Sequence, residues 1–215
     1  MNPSRRSFLT HAAAAGSSLV LARPTATRST VASGLKNGKP VPLGFENLPG
    51  FLSKKQLTWH HDSHYSGALA GFVRLDADLA GRHRERVAKA NSVLLHELYF
   101  GNMTAKKVSP GPGTGAALKR RFGSVERWLE DFRAAAKSSR GWSVLVWHPV
   151  NGKLYNVASD SHDDGPMLSG KPIAVVDTYE HAYYLDYQNR KGDYVDAFLD
   201  HLDWAALEAR LRQTR

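Results

Sequence analysis

From position 52 onward the apolar and polar positions fall into helical patterns first and strand-like patterns later. Leu57, His60, His64, Ala68, Phe72 and Leu75 recur at steps of three and four, which predicts one inward-facing stripe on a helix. Ser53 and Gln56 stand at capping-box spacing, with Leu52 and Leu57 at the hydrophobic-staple positions. The helix is therefore expected to open there, to run to about Leu79 and to stop at Gly81. A second helical pattern spans His83 to Phe100, so the two make a helical hairpin. Gly101 and the run Pro110-Gly111-Pro112-Gly113-Thr114-Gly115 read as the break after it. Ser124 then opens a helix reaching about Ser139. Three apolar runs follow, Trp142–Trp147, Leu154–Ala158 and Ile173–Val176, with Asn151-Gly152 as a two-residue hairpin signal between the first two. Helices from Tyr179 and from Trp204 close the chain. The predicted class is α+β: an N-terminal antiparallel helical hairpin (46–105), a linker and turn (106–122), and a C-terminal α/β domain (123–215) with a three-stranded antiparallel sheet.

The first 45 residues have a different character. Ser4-Arg5-Arg6-Ser7-Phe8-Leu9 is a charged opening, and His11 to Ala22 is a short run of small apolar residues. That pattern suits a signal peptide over 1–22 and is too short to span a membrane. Residues 23–45, rich in Pro, Thr, Ser and Gly, read as a flexible leader. Arg5-Arg6 followed by Phe8-Leu9 resembles a twin-arginine signal, and that resemblance implies an exported protein, periplasmic or extracytoplasmic, with no stable membrane insertion afterwards.

Composition narrows the chemistry. The 215 residues contain no cysteine, which excludes disulfides, thiolate metal sites and a cysteine nucleophile. Lys and Arg outnumber Asp and Glu by 29 to 20, a formal charge of +9 that favours anions of any size. Lys106-Lys107 and Lys119-Arg120-Arg121 are short and lack interleaved aromatics, so they read as a solvated face and no nucleic-acid partner is expected. With ten histidines and no thiol, any metal would take nitrogen and oxygen ligands.

The histidine positions carry that possibility. His60 and His64 share the predicted inward stripe, where a buried imidazole must find partners. His96 sits in Val93-Leu94-Leu95-His96-Glu97-Leu98-Tyr99-Phe100, apolar almost all round. Asp177 ends the third apolar run, and His181 follows four residues later. As bare spacing these are equally satisfied core histidines and a salt-bridged Asp–His pair. Brought together, three histidines and one carboxylate would make a site suited to iron or manganese.

Four blocks, in order, resemble the iron/manganese superoxide dismutase family over residues 44 to 210: Trp59-His60-His61-Asp62-Ser63-His64-Tyr65; Leu95-His96-Glu97-Leu98-Tyr99-Phe100; Phe122-Gly123-Ser124-Val125-Glu126 with Gly141-Trp142; and Asp177 through Tyr184 with Leu185 to Arg190 behind it. The resemblance implies metal ligands His60, His96, Asp177 and His181, one iron or manganese ion per subunit, superoxide anion as substrate, and a homodimer or tetramer. It implies that Glu180 reaches the partner's ligand histidine, that His64 and Tyr183 bridge subunits near the substrate funnel, and that Arg190 is a funnel arginine. Trp142 and Tyr179 would wall the metal. Three departures stand out. Ala68 replaces the gate tyrosine expected eight residues after the first ligand, and Tyr65 cannot simply substitute from its own position. Ser92 is too short to be the solvent's hydrogen-bond partner, which leaves His162 as the candidate. Val144 replaces a second wall tryptophan. The missing gate residue keeps a second reading open, a metal-binding protein on the same scaffold with dismutation weak or lost.

Overall fold

A computed structural model describes residues 33–78, 81–164 and 167–214. The expected signal peptide, the expected leader as far as residue 32 and the expected helix end at Leu79 lie outside the described residues.

The first long helix is built in three pieces. The α2 helix (Lys54–Trp59) begins at Ser53, whose hydroxyl accepts from the Gln56 amide at 3.1 Å, as an N-cap should. Only half of the capping box forms: the Ser53 amide donates to Asp186 at 2.7 Å, and the Gln56 side chain is used elsewhere. A π-helical turn occupies His60–Tyr65, and α3 continues from Ser66 to Ala77. The buried face follows Leu57, His60, Tyr65, Ala68, Leu69 and Leu75. Its single step of five, from His60 to Tyr65, is the extra residue that a π turn accommodates. Tyr65 thereby takes the inward position expected for His64, and His64 lies exposed. The second helix of the hairpin, α4, spans His83–Phe100 as expected.

The Pro/Gly run expected as a linker starts a helix instead. Helix α5 covers Pro112–Phe122, with proline in its first turn, where a missing N–H costs nothing. Glu208 of α9 (Trp204–Arg212) caps it, accepting from the Thr114 amide at 2.6 Å and hydroxyl at 2.7 Å. A Cβ at Gly111 or Gly113 would collide with that carboxylate, which is why glycine flanks Pro112. Helix α6 (Val125–Ser138) opens at Ser124, whose hydroxyl accepts from the Arg127 amide.

The sheet has the order β2-β1-β3, all antiparallel: β1 Trp142–His148, β2 Lys153–Ser159, β3 Lys171–Asp177. The β1–β2 connection is longer than the two-residue turn expected, since His148 pairs with Lys153 and residues 149–152 form the loop. Asn151 and Gly152 still shape it. Asn151 accepts from the Lys153 amide, and Gly152 adopts φ 64°. After β3, the helix expected from Tyr179 is broken into a 3₁₀ turn (Glu180–Ala182), a short α7 (Tyr184–Tyr187) and α8 (Lys191–Asp200). The leader is partly structured: α1 (Gly34–Asn37) lies against the hairpin, with the Gly34 amide donating to Glu97 at 2.7 Å. Hairpin, sheet and C-terminal helices bury one continuous core, from Leu57 and Val93 through Val175 to Phe198 and Leu207. Among the described residues no helix is long and apolar enough to cross a membrane.

Candidate metal centre

Asp177 sits at the end of β3 with no exposure, and its Oδ1 accepts from the Tyr179 amide at 2.9 Å. Its other oxygen, Oδ2, faces three imidazoles. His60 Nε2 is 3.0 Å away, His181 Nε2 3.2 Å and His96 Nε2 3.7 Å. One ligand atom from each of the four residues lies within 4.8 Å of the others. The set draws on both halves of the chain: the π turn supplies His60, α4 supplies His96, β3 supplies Asp177 and the 3₁₀ turn supplies His181.

The donor chemistry fits a cation. His96 Nδ1 lies 2.7 Å from the Ser92 carbonyl, which can only accept, so the proton is on Nδ1. A lone pair on Nε2 therefore faces the Asp177 carboxylate, and that buried nitrogen has no hydrogen-bond partner. Two electron-rich atoms aimed at one another in a dry site form a cage for a positive ion. Burial lowers the pKa of His60 and lowers that of His96 further, which keeps both imidazoles neutral and able to ligate. Burial pushes the Asp177 carboxyl up, but His181 and His60 outweigh it and hold the group well below the ordinary carboxylate range. Three imidazole nitrogens and one carboxylate suit iron or manganese.

Around this centre the aromatic residues pack closely. The Trp142 ring meets the His96 ring edge-on at 5.1 Å, and Tyr179 stacks on His181 at 5.2 Å. Trp142 Nε1 donates to His162 Nδ1 at 2.9 Å. Indole can only donate, so His162 Nδ1 is unprotonated and the neutral ring carries its proton on Nε2. The His162 ring lies 6.4 Å from that of His96, and its backbone carbonyl accepts from Asn91 of α4 at 2.8 Å. His64 stacks face to face on His181 at 3.9 Å. Partial burial of that ring, with His181 and His60 beside it, lowers its pKa to about 4.

The other sequence candidates fall in different places. Ala68 is buried with no group that could gate anything. The Tyr65 hydroxyl turns away to Glu97 and the Val41 amide, both at 2.9 Å. Tyr183 is buried and stacks on Tyr194 at 4.9 Å. Glu180 is exposed. Arg190 lies over the backbone of Asp186 and Tyr187 and beside Asp193, with 57% of its side chain exposed. Tyr183 and Glu180 line the cavity that opens beside His181 and Tyr179, together with Lys137, Arg140, Lys191 and Asp160, and Arg190 is not among its lining residues.

Four positioning residues escaped the sequence reading. Gln56, fully buried, donates to the His181 carbonyl at 2.6 Å and accepts from the Leu185 amide, pinning the ligand turn to α2. Tyr194 donates to the Asp177 carbonyl at 2.7 Å and lies 2.9 Å from the Tyr99 hydroxyl. Asn102 exchanges hydrogen bonds with the Val175 backbone, fixing the end of α4 to β3. Asn91 holds the His162 loop. Only Gln56 carried any signal, and it pointed to helix capping.

The fold and this ligand set define a mononuclear centre of three histidines and one aspartate on a helical hairpin joined to an antiparallel sheet. Residues 110–210 match the family model described as iron/manganese superoxide dismutases, C-terminal domain. The chain is 34% identical over 187 residues to a superoxide dismutase of Haloferax volcanii named for manganese, covering 81% of this chain and 94% of that relative. A superoxide dismutase of Cupriavidus metallidurans named for iron is 34% identical over 187 residues, covering 79% and 93%. One from Haloarcula marismortui, named for manganese, is 36% identical over 180 residues, covering 77% and 88%. The chain belongs to the iron/manganese superoxide dismutase family.

Proposed function

We propose that this protein is a superoxide dismutase working with one iron or manganese ion per subunit, held by His60, His96, Asp177 and His181. The observation that carries the reading is the convergence of three imidazole Nε2 atoms on one buried carboxylate oxygen, with the His96 lone pair aimed inward. Two superoxide anions and two protons become one dioxygen and one hydrogen peroxide. The bound ion supplies the one-electron cycle between trivalent and divalent states. The chain itself contributes neutral ligands, a buried anion, a proton donor and a path for the substrate. His162 offers its Nε2–H, fixed by Trp142. Lys137, Arg140 and Lys191 line the cavity beside His181 along with Asp160 and Glu180; Lys191, which has no ion-pair partner among the described residues, is the cation that would draw in an anion. Tyr179 and Trp142 wall the ligands from water.

A homodimer built on the face around Glu180 belongs to this proposal. Glu180 has no ion-pair partner among the described residues. Trp59, Tyr184 and Leu185 stand 57%, 48% and 50% exposed on the packed pair α2 and α7. Burying that patch would satisfy both features. Export is proposed from Arg5-Arg6 and the apolar run behind them.

The test is superoxide dismutation by the protein lacking residues 1–22, normalised to its iron and manganese content. Turnover that tracks one metal supports the enzyme and names the ion. Full occupancy with negligible turnover favours the second reading, for which the buried Ala68 and the Tyr65 hydroxyl turned away to Glu97 are the specific observations.

A further inference from the structure

At the end of β1 opposite the metal centre, a half-enclosed cleft of about 300 Å³ opens between α5, the β1–β2 hairpin and the end of α9. Trp147 lies five residues along β1 from Trp142, roughly 17 Å at strand rise, so the cleft is separate from the ligand cage. Its floor is apolar, made by Trp147, Leu154 and Leu211. Its rim is cationic, made by Arg120, Arg121 and Lys153, and among the described residues no carboxylate lines it.

Arg121 is already fixed. Its Nε donates to the Leu154 carbonyl at 2.7 Å, and its guanidinium lies 5.1 Å over the Tyr155 ring. Arg120 and Lys153 have no ion-pair partner among the described residues. Cations in the last turn of α5 suit the helix dipole, which accounts for Arg120 and Arg121 but not for Lys153 on the hairpin. An apolar floor under unneutralised positive charges, one of them pre-oriented, is a shape with a chemical complement.

We infer that this cleft binds a small organic anion, a carboxylate or phosphate carried on a flat apolar body of one or two rings. The ring would lie on Trp147, Leu154 and Leu211, and the anion would meet Arg120, Arg121 and Lys153. Such a volume is at the small end of ligand sites, which limits the occupant to about that size.

The probe is 2-naphthoate, titrated calorimetrically into the metal-loaded protein. The expected result is saturable 1:1 binding, at least tenfold tighter than 2-naphthol or inorganic phosphate alone. Arg120→Glu and Lys153→Glu should each weaken it at least about fivefold, since each removes a cation and adds a repelling charge. Both positions are exposed, so the variants should keep full metal content and dismutation. Lys106→Glu/Lys107→Glu makes twice that charge change at residues outside the cleft lining and should leave affinity unaltered. Absence of saturable binding overturns the inference. So does equal weakening by the Lys106/Lys107 pair, which would mean attraction to net charge alone, or equal binding of 2-naphthol, which would mean an apolar crevice without anion selectivity.

Discussion

Tyr65→Phe tests how the leader is tied to the ligand helices. The π turn sends this ring into the core, where its hydroxyl donates to Glu97 Oε1 and accepts from the Val41 amide, both at 2.9 Å. Removing one oxygen deletes both bonds. Glu97 keeps the Gly34 amide at 2.7 Å, while its Oε2 is already buried without a partner. At about 1 kcal/mol per hydrogen bond, the loss is about 2 kcal/mol. For a folded region of this size that lowers Tm by about 4–8 °C. The loss also depends on pH with a definite sign. Burial raises the Glu97 pKa, against the pull of the Gly34 and Tyr65 bonds. A raised carboxyl stabilises the fold below its unfolded pKa, and that contribution disappears as pH rises through the folded value. Without the Tyr65 hydroxyl the ionised form is less well met, so the cost of the substitution should grow as pH rises through the folded value. The assays are thermal and urea unfolding of the metal-loaded protein, with hydrogen exchange at the Val41 amide. A Tm change below about 1 °C, with Val41 still protected, would refute the clamp.

Three other outcomes are expected. Asp177→Ala should abolish bound metal, because it removes the only anion from the cage; stoichiometric iron or manganese in the purified variant would overturn the ligand assignment. Glu208→Gln should cost about 1–2 kcal/mol at pH 7 by weakening two charge-assisted bonds to Thr114. Those bonds, the hydroxyl's first, hold the Glu208 pKa below 4.5, so its stabilisation is present above that value and is lost as pH falls through the folded pKa; urea midpoints of the two proteins should converge on acidification. Trp142→Phe removes the donor to His162 Nδ1 and should slow dismutation while sparing metal content; unchanged kinetics at equal occupancy would return His162 to an ordinary loop residue.

What the sequence disclosed follows from which interactions are local. The α4 span, the Ser53 and Ser124 caps and the three strands are set by short-range periodicity and side chain–backbone bonds, and all are where the pattern puts them. The Pro/Gly run at 110–115 misled because its meaning lies at Glu208, some ninety positions on, which turns a break into a capped helix start. The same long reach hid Gln56, whose partners are the His181 carbonyl and the Leu185 amide. Arg190 bonds back over its own turn, and its neighbour Lys191 points to the Ser139 carbonyl beside the cavity.

The π turn is the instructive case, because it preserved one half of the histidine reading and reversed the other. Regular α-periodicity carries His60 and His64 on one stripe, and a buried pair was the consequence. One extra residue between His60 and Tyr65 leaves His60 in the cage, rotates His64 out, and puts Tyr65 in its stead. His64 then stacks on His181 from its exposed position. Tyr65, in turn, spends its hydroxyl on the leader, so it cannot serve as the gate that Ala68 lacks. The unusual surface of this centre therefore has a single local cause. With no gate phenol inside, we propose that proton delivery falls to His162, whose Nε2–H tautomer is set by the Trp142 indole.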